Sequence, residues 1–163
     1  MGFSKDLAVG KDGENIAIEV FQKHGLQVQT VPKELRRWYD FSVLLRDKEF
    51  QVECKYDLRA NKTQNIAIEV GNSKTQKPAG IMLTKADIWC HVFSPSSVWL
   101  CSAALLRAYV QDCPFGFVRK IEGGGDGNAD LLLFKRDSML SLLFTEISGL
   151  DKNKFIRVLD NLC

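Results

Sequence analysis

Histidine is almost missing from this chain. His24 and His91 are the only two in 163 residues, and neither lies in a context that would make a Ser-His or Cys-His nucleophile. Five cysteines are present, an odd number without CxxC spacing. Four of them lie in or beside apolar runs, where free cysteine behaves as a small hydrophobe. Cys90 and His91 are neighbours whose side chains point apart in a strand, so a zinc site is not expected. No apolar run approaches the roughly 18 residues that a membrane span needs, and the N-terminus has no signal-peptide core. These absences lead to the expectation of a cytoplasmic protein without a membrane partner. Charge of one sign is also missing: 22 basic residues against 20 acidic leave +2, too little to announce a nucleic acid by itself. Without repeats or a low-complexity linker, residues 1–163 are expected to form one domain with a full core.

What is present is a set of acids at informative places. Tyr39-Asp40-Phe41-Ser42-Val43-Leu44-Leu45 and Phe50-Gln51-Val52-Glu53-Cys54-Lys55-Tyr56-Asp57 read as two strands of a hairpin around the polar residues 46–49. With that loop, Leu45 pairs with Phe50, Ser42 lies opposite Glu53, and Asp40 lies opposite Lys55. Side chains alternate faces with period two, so Asp40, Glu53 and Lys55 share one face. A two-residue turn at Asp47-Lys48 keeps this register, whereas a three- or five-residue loop moves Asp40 to the other face. Two carboxylates and an ammonium on one sheet face suit a divalent metal with a cation beside it. The same alternation also describes any half-buried strand with a wet outer face.

A third acid lies upstream. Residues 13–25 carry apolar side chains at helical spacing, and Gly25 stops the run. Glu14 falls on the apolar stripe with Ala17, Ile18 and Phe21, while Glu19 falls on the wet side with Asn15, Gln22 and Lys23. A carboxylate at the head of an apolar stripe either meets a cation, a metal or hydrogen bonds, or is a first-turn acid favoured by the helix dipole. Residues 65–70 read as another strand, with Ala67 and Glu69 on one face. Glu69 is then a secondary candidate for the same site or a solvent-facing acid. Basic residues gather in segments expected to flank the acids: Lys33, Arg36 and Arg37; Arg59 and Lys62; Lys74 and Lys77. Such loops suit a polyanion whose phosphates need several anchors.

In its order of helix with Glu14, strand at 26–31, strand with Asp40 and strand with Glu53-x-Lys55, the chain resembles the PD-(D/E)xK nuclease superfamily. It is most similar to the Holliday-junction-resolvase-like branch and to small phage endonucleases, over roughly residues 5–90. Tyr39 stands where the superfamily's motif has proline. The resemblance implies an α/β fold with a restriction-endonuclease-like αβββαβ core, a central mixed sheet flanked by helices, and C-terminal helices. It further implies Mg2+, with Mn2+ as a substitute, held by Asp40, Glu53 and the Cys54 carbonyl. Glu14 would serve a second metal or a water, and Lys55 would act on the attacking water or the charge that develops. The expected function is a Mg2+-dependent DNA endonuclease leaving 5′-phosphate and 3′-hydroxyl ends, for phage or mobile-element DNA processing, recombination or repair in a host cytoplasm. The alternatives are a Holliday-junction resolvase proper and a catalytically silent nucleic-acid-binding module. No organic cofactor is expected. Residues 77–89 are similar to the segment of phage relatives beside the active site, where Lys85 would contact phosphate.

Further along, Thr84 to Trp89 reads as a short helix start with Trp89 in the core, followed by strands at 91–93 and 97–101. Ser102 caps a helix to about Gln111 whose apolar face includes Leu105, Leu106 and Tyr109. Residues 118–121 precede a mobile glycine-rich loop at 122–130, in which no Gly-Lys-Ser/Thr makes a phosphate cradle, and 131–135 read as a strand. Helices are expected over 137–147 and 150–162. Their apolar residues Phe144, Ile147, Phe155 and Leu159 are a candidate contact for a homo-oligomer, most simply a two-fold dimer, or a cover for the sheet within one chain.

Overall fold

In the computed structural model the chain is described over residues 3–112, 116–123 and 127–162, with side chains from Gly10 onward. Helix α1 (Phe3–Lys23) begins ten residues before the predicted stretch, and Gly25 follows its end at φ +82°. Gly13, Ala17 and Phe21 form its buried stripe, four residues apart as one helix face requires. Then come β1 (Gln27–Thr30), β2 (Phe41–Leu45) and β3 (Lys48–Tyr56). These form an antiparallel meander, and β3 pairs in parallel with β6 (Ile88–Ser94). Beyond it, β7 (Ser97–Ser102) and the two-residue β10 (Thr145–Glu146) complete a six-stranded mixed sheet in the order β1-β2-β3-β6-β7-β10.

The crossover from β3 to β6 departs from expectation. A restriction-endonuclease-like core makes this connection through a helix. Here the chain passes through the four-residue α2 (Ala60–Thr63), β4 (Asn65–Asn72), the short β5 (Lys77–Pro78) and a 3-10 turn at Gly80–Met82. With β8 (Phe117–Gly123) and β9 (Ala129–Lys135), these strands build a second, antiparallel sheet in the order β5-β4-β9-β8. The protein is thus a mixed α/β fold with a six-stranded mixed sheet and a four-stranded antiparallel one.

Alternate residues of β6 face two cores, as a strand covered on both sides must. Cys90 and Val92 pack with Phe41, Val43, Val52 and Leu100 beneath α1 and the C-terminal helix α5 (Lys152–Leu162), which contributes Phe155 and Leu159. Trp89 and Phe93 pack with Ile66, Ile68 and Phe134 of the second sheet. Leu106 of α3 (Ala103–Gln111) and Met139 of α4 (Arg136–Leu143) join that core. Trp89 is a core residue, as read from sequence.

Several local readings are corrected. Thr84–Trp89 forms no helix, and Ile88 opens β6 instead. The Thr84 hydroxyl does accept the Ala86 N–H at 3.1 Å, a turn that imitates a cap, but the residues after it are taken up by parallel pairing with β3. On α3 the buried positions are Ala103, Leu106 and Val110, and Leu105 is exposed. The helix expected over 137–147 ends at Leu143, where Phe144 turns extended (ψ +151°) and the chain joins the sheet as β10. Phe144, Ile147, Phe155 and Leu159 are all buried within the chain, so they do not form an exposed subunit contact. The centre of the expected mobile loop (124–126), Cys113 and Cys163 lie outside the described residues. His24 is structural: Nδ1 lies 2.7 Å from the Val20 carbonyl, Nε2 3.0 Å from the Leu150 carbonyl, and its ring stacks on Phe155. Among the described residues no helix is long and apolar enough to cross a membrane.

Gly13 sets how closely α1 lies on β3. A Cβ there would stand 2.4 Å from Tyr56 Cβ, whereas one at Gly10 would meet nothing within 4 Å. Gly13→Ala must therefore push the helix away or distort β3, and overpacking of this kind costs about 1–3 kcal/mol. Gly10→Ala should be neutral or stabilising by up to about 1 kcal/mol, from helix propensity alone. Denaturant unfolding of the two variants checks the pair: equal effects would mean that the α1–β3 contact is not close.

Candidate metal and phosphodiester site

The β2–β3 turn determines which residues meet. Leu45 pairs with Lys48, leaving a two-residue loop at Arg46-Asp47, and Arg46 adopts φ +56°, the positive angle that tight hairpins demand. The expected pairing of Leu45 with Phe50 is therefore off by two residues, since Phe50 lies opposite Val43. A slip of two leaves every side chain on its expected face. Asp40, Glu53 and Lys55 do share a face, but Asp40 falls level with Glu53 rather than Lys55.

At Asp40 the ladder between β2 and β3 ends. The Asp40 N–H still donates to the Val52 carbonyl at 2.9 Å. The next inward-pointing amide of β3, that of Cys54, finds no strand opposite and donates to Asp40 Oδ2 at 2.8 Å. The N–H and C=O of one strand residue point the same way, so the Cys54 carbonyl opens into this gap too. On the other edge, Glu53 and Lys55 lie level with Trp89 and His91 of β6. Thr84 closes the site: its hydroxyl lies 2.7 Å from the Trp38 carbonyl and 3.3 Å from Glu53 Oε2. Arg107 of α3 holds that segment by donating to the carbonyls of Ile81 (2.9 Å) and Thr84 (2.7 Å).

The two carboxyls are unusual acids. Burial, and next the negative charge of Glu14, raise Asp40 from 3.8 to about 6, although the Cys54 amide opposes the shift. Burial, followed by the Asp40 carboxylate, raises Glu53 from 4.5 to about 8 against the pull of Thr84 and Lys55. Glu14 is partly exposed and pairs with Lys11 at 3.2 Å, and its charge is felt at Asp40. The buried stripe is headed by Gly13 rather than Glu14, which lies beside it at intermediate exposure, whereas Glu19 is exposed. Lys55 is not free to neutralise the acids alone, because its Nζ lies 3.3 Å from Glu69 Oε2. Glu69 thus reaches the site although β4 belongs to the other sheet and does not lie beside β3. Gly80 lies tight against the Glu69 backbone, which a Cβ there would overlap.

Behind Lys55, a cavity of about 130 Å³ is lined by Tyr56, Asp57, Ala67, Glu69 and two residues of β9. Asp57 anchors its rim by accepting the amides of Arg59, Ala60 and Ala67. Burial works against the Asp57 charge, but His91 and the Ala67 and Ala60 amides prevail and lower its pKa. His91 is fully buried and accepts the Trp89 indole N–H at Nδ1, 3.2 Å away. It supports Asp57 from 3.6 Å.

Among the described residues no three His, Cys, Asp or Glu side chains form a ready metal cage. Mg2+ does not require one: it keeps several waters and is commonly bound through one or two carboxylates. Two half-buried carboxylates that repel each other, hard oxygen donors throughout, and a backbone carbonyl opening on the same gap fit that ion. The basic residues divide. Arg37 and Lys85 lie beside Trp38, next to Asp40, with their charged ends 4.5 and 4.1 Å from its ring centre. Arg36 turns back onto the Val31 carbonyl at 3.3 Å. Arg59 and Lys62 are exposed around α2, and Lys74 and Lys77 are exposed around the β4–β5 turn, where no contact joins them to the acids. Thr84, Trp38 and Arg107 were missed from sequence. Only Arg107 carries a signal, as a cation within the stripe of Ala103, Leu106 and Val110.

Both acids hold their protons more tightly folded than unfolded. Their contribution to stability is therefore fully present below about pH 4 and is lost as pH rises through the folded values. Metal-free protein should lose thermal stability between pH 5 and 8.5, and Glu53→Gln should flatten the upper half of that decline. Melting curves in chelator read this directly, and a melting temperature that rises across the window would contradict the burial of the pair.

No family model matches this chain, and no curated protein matches its sequence.

Proposed function

We propose that this protein is a Mg2+-dependent DNA endonuclease with a restriction-endonuclease-like core, acting in phage or mobile-element DNA processing, recombination or repair. One observation carries the reading: Asp40 and Glu53 stand half-buried and level with each other at a break in the sheet, the Asp40 charge raising the pKa of Glu53, with Lys55 on the same face. Supporting it are the order α1-β1-β2-β3, the parallel return at β6, and Glu14 close enough to act on Asp40.

When bound, Mg2+ would lower the pKa of an attacking water and neutralise charge on the scissile phosphate. Asp40, Glu53 and the Cys54 carbonyl would hold it. Lys55, kept in place by Glu69, orients or deprotonates the water as its oxygen adds to phosphorus and the P–O3′ bond breaks. The released 3′-oxygen takes up a proton, leaving a 3′-hydroxyl and a 5′-phosphate. A homodimer would supply two such sites for the two strands. Two observations favour a second reading, a silent nucleic-acid-binding module: Lys55 is engaged by Glu69, and among the described residues no third acid completes a cage.

Cleavage of plasmid, single-stranded and four-way-junction DNA by the purified protein separates these readings. Mg2+ or Mn2+ should support cleavage and Ca2+ should support it poorly. Asp40→Asn and Glu53→Gln should be inactive while folded. Lys55→Ala should be inactive yet still bind Mg2+ in calorimetry. Glu14→Gln should lose about two orders of magnitude, on the scale of lost acid–base or positioning groups, and Glu19→Gln almost nothing. Wild-type cleavage by Asp40→Asn would end the proposal, and selectivity for the junction would identify a resolvase.

A further inference from the structure

Beside the carboxylates stands a cluster that takes no part in holding them. Trp38 lies two residues before Asp40 in the turn after β1. Its ring is half-buried, and two cations stand against it: the Arg37 guanidinium carbon at 4.5 Å from the ring centre and Lys85 Nζ at 4.1 Å. Among the described residues no carboxylate pairs with either cation. Both cations belong to exposed residues. An aromatic face attracts a cation through its quadrupole, but it carries no net charge, so two positive groups remain unneutralised around one ring.

The cluster is tied to the acids through the backbone. The Trp38 carbonyl accepts the Lys85 N–H at 2.9 Å and lies 2.7 Å from the Thr84 hydroxyl. The same hydroxyl is 3.3 Å from Glu53 Oε2. Arg107 fixes the other side of this segment through the Ile81 and Thr84 carbonyls. The two positive charges therefore stand at a set offset from Glu53. Two long, flexible side chains on an open surface would not keep that offset without the ring that both stand against.

We propose that Arg37, Trp38 and Lys85 form a phosphate clamp for the nucleic-acid strand, in which Trp38 is the positioning residue and the two cations bind the phosphodiester backbone beside the carboxylates. The clamp rests on the nucleic-acid reading above. A planar guanidinium offers two parallel donors to a phosphate, and an ammonium adds a point charge. Base stacking on Trp38 is the less suitable use, because the ring already carries its cations. The clamp therefore serves affinity and register without reading sequence.

The test uses the full chain with fluorescein-labelled single-stranded and duplex oligonucleotides, binding being followed by anisotropy over a salt series in Ca2+. Each phosphate contact contributes about 0.9 to the slope of log affinity against log salt on duplex DNA. Arg37→Gln with Lys85→Gln should make the slope shallower by about two. Trp38→Leu should weaken binding about tenfold and make the slope shallower by at least about one, while Trp38→Phe, which keeps a ring, should stay within about threefold of wild type. If Trp38→Leu melts early, the double glutamine variant and Trp38→Phe decide the question. Weaker binding at an unchanged salt slope overturns the clamp, and so does wild-type binding by the double variant. In either case, continued Mg2+-dependent cleavage leaves the nuclease reading standing. A wild-type protein that binds neither oligonucleotide overturns both.

Discussion

The hydrogen bond from the Cys54 amide to Asp40 does what a backbone bond would do if β2 ran one step further. A buried strand amide needs a partner, and where the chain turns away at Asp40 its carboxylate supplies one at 2.8 Å. The substitution places a half-buried negative charge at the sheet's break and level with Glu53, which faces the same way from β3. The rest of the site follows from the cost of that arrangement. Burial alone disfavours each charge, each carboxylate raises the energy of the other, and the nearest cation, Lys55, is shared with Glu69. The metal-free site holds more acid than its surroundings can charge, a condition that a divalent cation relieves.

The second sheet has a part in this although it contributes no strand beside β3. Its β4 brings Glu69 to Lys55, and the segment after the 3-10 turn brings Thr84 to Glu53. Arg107 holds that segment by its carbonyls, so α3 positions a carboxylate that it never touches. A helix in the crossover, as the family resemblance implied, would have covered the sheet without delivering these polar groups.

Much of the pocket was legible in the sequence because period-two alternation is insensitive to even slips. The pairing of Leu45 was misjudged by two residues, yet the shared face of Asp40, Glu53 and Lys55 survived. An odd error would have destroyed it. Helical spacing likewise separated Glu14 from Glu19. The failures share a cause: local signals were overruled by partners far along the chain. Thr84 looks like a cap, but the residues after it pair with β3. Phe144 continues an apolar helical pattern, but the chain there is captured by β7. Leu105 fits a helix face that the second sheet does not cover. Trp38 and Thr84 join the site through one carbonyl and one hydroxyl, across 46 residues, and no spacing within either segment encodes that.

Calorimetric titration of Mg2+ into metal-free protein at pH 7, in two buffers of different ionisation enthalpy, tests the central claim most directly. Ligand carboxyls must lose their protons to bind a metal, and Glu53, raised to about 8, is mostly protonated at that pH whereas Asp40, at about 6, is mostly not. The account predicts saturable binding with release of about one proton, no such release from Glu53→Gln, and no binding by a protein lacking both acids. Mg2+ binding that leaves the proton count unchanged, or that survives loss of both Asp40 and Glu53, would contradict it.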